Sequence, residues 1–111
     1  MESILDSVKK KIGITEYYTE FDDGQIIDYI NSVFFTLHQL GIGPADGFFI
    51  VDEKANWDDY IPTSPLQRAV RVYVGNKVQL RFDPPQNSSA LEVLKNDIAE
   101  FEWRFTVEDS V

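Results

Sequence analysis

Cysteine is absent and histidine occurs once. The first absence removes disulfides, thiolate metal sites and cysteine nucleophiles together, and it fits a reducing compartment. The second leaves only His38 for a Ser-His-Asp site, and no Gly-x-Ser-x-Gly elbow accompanies it. A lone helical histidine is read as a surface or half-buried polar residue. No apolar run approaches the ~18 residues that a membrane helix needs. The N-terminal MESILDSVKKKIG is charged within its first six residues and has no apolar core of signal-peptide length. A soluble, unprocessed chain without a membrane partner is therefore expected. Positive charge is scarce, with 10 basic residues against 19 acidic ones and a net charge of −9. A surface this acidic repels phosphate, so gripping nucleic acid is not its main task, although it can stand beside DNA.

What is present is apolar and aromatic. The chain is 43% hydrophobic and 14% aromatic, a folding composition rather than a disordered one. Its 111 residues suffice for one domain, 1–111, and not for two. So many rings imply an aromatic-rich core or rings kept for a partner.

Ser3 can cap a first helix whose stripe is Ile4, Leu5, Val8 and Ile12, with Gly13 placed to stop it. Thr15 to Phe21 reads as a link or an extra helical turn. Asp22 or Asp23 caps a second helix, in which Ile26, Ile30, Val33, Leu37 and Leu40 recur at helical spacing until Gly41. Residues 42–63 form a long ordered loop, glycine-rich at first and then apolar through Phe48, Phe49, Ile50 and Val51. Asn56 can cap one turn through Trp57, Asp58, Asp59 and Tyr60. The loop has two readings, a lid over the helical core or an arm that docks on another chain. On the second, Phe48, Phe49, Ile50, Trp57 and Tyr60 are the inter-subunit or loop-docking candidates.

Ser64-Pro65 is a strong helix start. Beyond it lies an ambiguity, because Val70, Val72, Val74, Val78, Leu80 and Phe82 alternate as a hairpin would around Gly75-Asn76. A two-residue turn there points the apolar faces of the two strands to opposite sides. A one-residue slip repairs the facing but leaves glycine first in a loop that wants it last. Helix is favoured from Ser64 to about Asn76, with 76–82 left open. A helix gripped on two sides would explain the scattered apolar positions. Phe82-Asp83-Pro84-Pro85 then breaks the chain. Ser88 or Ser89 caps a last helix with Leu91, Leu94, Ile98, Phe101 and Phe105 on one stripe, followed by an acidic tail from Thr106. The expected fold is mainly α, a small four-helix adaptor domain with a long loop between helices 2 and 3. The alternative is α+β with a hairpin at 70–82.

Chemistry is sparse. Asp22-Asp23 and Asp58-Asp59 lack calcium-loop spacing and read as a helix cap and a solvated turn. Gly41, Gly43 and Gly47 are followed by no Gly-Lys-Ser/Thr. Asn87-Ser88-Ser89 matches a glycosylation acceptor, but no secretory signal gives it meaning. Lys9-Lys10-Lys11 reads as a solvated face. No catalytic residue, cofactor or metal is expected. Trp103 stands apart, because it lies off the last helix's stripe. It either packs elsewhere in the chain or anchors a partner.

The order of features carries a resemblance: a short helix ending in KKKIGI, a second helix, a variable loop, Pro-x-x-x-Ala-Val, a helix into Phe-Asp-Pro-Pro, and a capped helix closing in Glu-Trp-Arg. This resembles the head–tail connector (head completion or adaptor) proteins of tailed phages, in the version of phages and prophages of Gram-positive bacteria. The resemblance implies a helical virion protein of the capsid–tail neck, assembled in the host cytoplasm. It would form a dodecameric ring of its own copies beneath the portal protein and extend the DNA channel. Tail or stopper (head-closure) proteins would bind it, and double-stranded DNA would pass without specific binding. It also implies that the C-terminal segment 103–111 reaches the portal, with Trp103, Phe105 and Val107 as portal-docking candidates. Asp22, Asp23, Asp58 and Asp59 are candidates to line the channel. A small acidic regulatory module or DNA mimic from a phage is the competing reading, and an enzyme the least supported.

Overall fold

The computed structural model describes residues 2–13 and 22–108. The link at 15–21 and the last residues of the tail lie outside them. Among the described residues, five α-helices follow in order: α1 (Ile4–Lys11), α2 (Asp23–Gln39), the single turn α3 (Trp57–Tyr60), α4 (Pro65–Phe82) and α5 (Ser88–Glu108). Among the described residues there is no strand, only an isolated antiparallel bridge between Ser3 and Asn56. The fold is mainly α.

The punctuation in the sequence is used almost as written. Ser3 accepts from the Asp6 amide, and Ser64 from the Gln67 amide with Pro65 behind it. Asp22 makes a reciprocal capping box with Gln25, and Asn56 makes one with Asp59. The last helix is the exception. Its first amides donate to the Asn87 side chain, at 2.8 Å from Ser89 and 3.1 Å from Ala90. Asn87, not Ser88 or Ser89, is the cap. This helix also runs through Thr106 to Glu108, where an acidic tail was expected.

The ambiguity at 70–82 resolves as helix to Phe82, and the hairpin alternative falls. Gly75 lies inside this helix, where α1 packs against it. It is buried, and a Cβ there would meet the Lys11 side chain at 3.2–3.4 Å. The glycine costs α4 about 1 kcal/mol of helix propensity but lets α1 approach closely. α1, α2 and α5 each pack against α4. Val70, Tyr73, Val74 and Val78 are accordingly all buried, which scatters the apolar positions beyond a single stripe.

The loop between α2 and α3 folds over the core. Asn31 of α2 fixes its register with two bonds to Ile50, Nδ2 donating to the carbonyl at 2.9 Å and Oδ1 accepting from the amide at 2.8 Å. Ile50 is thereby buried, and Phe34 is surrounded by Tyr60, Phe48 and Trp57 at ring-centroid distances of 4.7, 5.1 and 6.3 Å. Such ring pairs add about 0.5–1.5 kcal/mol each beyond area burial. The Trp57 indole donates to Ser7 Oγ at 2.9 Å, and Ile4 N–H to the Ala55 carbonyl at 3.0 Å, so the loop's far end is tied to α1. Gly43, at φ +95°, lies under the Tyr60 ring, where a Cβ would come within 2.7 Å.

Asn31→Ala removes both bonds that register the loop. We expect a loss of about 1–3 kcal/mol in urea unfolding, from the Ile50 amide and carbonyl left unpaired, together with faster proteolysis at 44–52. Unchanged stability and cleavage would show that the rings alone hold the lid.

Candidate functional site

Helix periodicity decides which side chains of α5 remain outside. Leu94, Ile98 and Phe105 face α4 and are buried, while Leu91 and Phe101 are half-buried at the seam's edge. Phe105 meets the Tyr73 ring edge-on at 5.5 Å and stacks on Phe101 at 5.9 Å. Trp103, two residues before it, points away and is 65% exposed, and Val107 is 40% exposed. Both edge a groove of about 430 Å³ whose opposite wall is Pro65, Leu66 and Ala69 at the start of α4.

This end of α5 is held by polar contacts as well. The Tyr73 hydroxyl donates to Glu102 at 2.7 Å, and Lys77 lies 3.9 Å from the same carboxylate. Burial, and then the Glu102 carboxylate, push the Tyr73 hydroxyl well above the ordinary tyrosine value. Glu100 accepts from Arg104 at 2.8 and 3.1 Å, one turn apart on the exposed face. Trp103 therefore projects from a braced helix.

Of the three C-terminal candidates, Trp103 and Val107 reach the surface, and Phe105 is the anchor beneath them, 2% exposed. Of the loop candidates, Ile50, Trp57 and Tyr60 are buried and Phe48 is half-buried, whereas Phe49 is 70% exposed. The four candidate acids are exposed, and each has a local bond. Asp22 caps α2, Asp23 pairs with Lys9 at 2.9 Å, and Asp59 closes the α3 capping box. Asp58 accepts from Thr63 at 2.6 Å and from the buried Gln67 side chain at 2.7 Å, and these bonds hold its carboxyl below the usual range.

Other exposed apolar side chains escaped sequence reasoning: Phe35, Val51, Val72 and Val93. Phe35 carried a usable signal, since it lies off the α2 stripe that Phe34 joins. Val51 carried none, because only the Asn31 bonds decide which loop side chains turn inward. His38 is exposed, with Nε2 3.0 Å from the Ala45 carbonyl. No group of three or more metal-capable side chains converges, and no helix is long and apolar enough to cross a membrane, among the described residues.

The described surface thus keeps one tryptophan, two phenylalanines and four valines exposed. The chain belongs to the phage connector protein family, whose family model matches residues 4–111. No curated protein and no solved structure matches it. Membership assigns a structural head–tail connector role within the virion, with other phage structural proteins as partners.

Two outcomes follow from this geometry. Phe105→Ala should lower stability by about 3–5 kcal/mol, whereas Trp103→Ala should change it by less than about 0.5 kcal/mol, both read by urea unfolding. Equal losses would mean that Trp103 supports the fold. The raised tyrosines set the second. Protonated Tyr73 and Tyr60 favour the folded state, so their contribution is complete below pH 10.0 and is lost as pH climbs from there toward the raised folded-state values. Chemical denaturation between pH 9 and 12 should show falling stability, with a shallower fall in Tyr73→Phe.

Proposed function

We propose that this chain is a ring-forming adaptor of the virion neck, seated beneath the portal and offering its far side to a tail or stopper protein. It acts as one helical domain, 1–111, assembled in the host cytoplasm and carried into the virion. It performs no catalysis. The observation that carries the reading is the exposed pair Trp103 and Val107 on a braced helix end, beside an open apolar groove. An isolated Trp in water contributes nothing to the monomer, while a Trp buried at an interface ranks among the strongest anchors. The segment 103–111 is the portal-docking element, with Phe105 fixing its direction from below. Family membership supports the same reading.

The acidic surface suits a conduit. Asp22, Asp23, Asp58 and Asp59 keep their charge outward even while bonded locally. A wall bearing such acids repels the phosphates of passing double-stranded DNA and gives it nothing to stick to.

Light scattering on a sizing column tests the proposal, with the protein alone and mixed with its portal. Co-elution with a portal ring near one-to-one stoichiometry is expected, and Trp103→Ala should weaken it at least about tenfold, the effect of losing a hot-spot anchor. A monomer or dimer that ignores the portal overturns the reading and turns the search to a basic partner for an acidic binding module.

A further inference from the structure

A second apolar surface lies away from Trp103. Phe35 stands one turn beyond Asn31 on α2, and Asn31 holds Ile50 in place, so Phe49 and Val51 flank the same strip. Phe35, Phe49 and Val51 are 62%, 70% and 70% exposed. Acids frame this loop: Asp46 before it, Asp52 and Glu53 after it. Asn31 explains why the strip is presented rigidly, and among the described residues nothing covers it.

The outer face of α4 offers the complement. Val72 is 44% exposed there and lines three adjoining clefts. Arg68 and Arg71 border the largest, of about 440 Å³, with Trp57 as part of its floor. Arg71 lies 5.6 Å over the Trp57 ring and is paired with Glu2, whereas Arg68 has no ion-pair partner among the described residues. Arg104 and Lys11 border the other two clefts. Four of the chain's 10 basic residues thus line these clefts together with Glu2, Asp58, Asp97 and Glu100, so this face is near neutral in a molecule of charge −9. Two copies carry like net charge, and a near-neutral face with Arg68 free of an ion pair among the described residues repels an acidic loop less than a net acidic surface does.

We propose that the Phe49–Val51 loop of one copy seats on the α4 face around Val72 of the next, with Arg68 meeting the loop's acids. The inserted surface and the receiving surface differ, so the contact is head-to-tail and propagates around a ring. The proposal rests on the connector reading for its occupant, a second copy, and assigns the lateral contact that reading needs. It leaves the Trp103 end available for the portal.

The absence of cysteine gives the test a clean background. A chain carrying both Phe49→Cys and Val72→Cys is oxidised at high concentration alone and again bound to portal rings, then run on a denaturing gel. A ladder extending past the dimer is expected, with neither single variant giving more than a dimer. Arg68→Glu in the same background should reduce the cross-linked fraction roughly two- to fivefold, an effect weakened by salt. The pair Val51→Cys with Arg68→Cys repeats the test at neighbouring exposed positions, should the first pair disturb folding. No ladder from either pair, or cross-linking that stops at the dimer, overturns the contact. If wild-type protein still co-elutes with the portal, the connector reading survives that failure.

Discussion

The structure depends on one close approach, that of α1 to α4 at Gly75. A side chain there would push against the Lys11 stem. With glycine, α4 can be packed by α1, α2 and α5 together. That arrangement makes α4 the axle of the molecule. It also explains how a small chain orders a loop of some twenty residues. The loop does not cross open surface, because its far end is tied to α1 by the Ala55 carbonyl and the Trp57 indole. Its near end is tied to α2 by Asn31.

The aromatic content then divides into two populations with different work. Phe34, Phe48, Trp57 and Tyr60 form a closed ring cluster beneath the loop, and Tyr73, Phe101 and Phe105 form a second along the α4–α5 seam. Phe35, Phe49 and Trp103 remain in water. Each exposed ring sits next to a buried or half-buried one in sequence or on its helix, so the core positions the surface. Phe34 orients the helix from which Phe35 projects. Phe105 sets the helix from which Trp103 projects.

Much of this was legible in the sequence, for local reasons. The stripes of α2 and α5 and the caps Ser3, Asp22, Asn56 and Ser64 depend on neighbours within a turn. The off-stripe position of Trp103 showed that the α5 seam would not bury it, but left open whether it packs elsewhere in the chain; the structure leaves it exposed. What escaped depends on distant partners. Residues 76–82 looked ambiguous because burial on several sides erases a single period, and the value of Gly75 lies in a lysine 64 positions earlier. The choice of Asn87 over two adjacent serines turns on reach to the first amides, which composition does not encode. Inward Phe48 and outward Phe49 were indistinguishable until the Asn31 bonds fixed the register.

The seam between α4 and α5 has a mechanical meaning. α5 extends 21 residues, yet only Leu94, Ile98 and Phe105 are fully buried along it, helped by the Tyr73–Glu102 bond. A pull applied at Trp103 runs along the helix into that narrow line of contacts. The ring cluster around Phe34, caged under the loop, is separate from that seam. Load therefore falls first on the seam, which can slip or peel while the rest of the subunit keeps its shape.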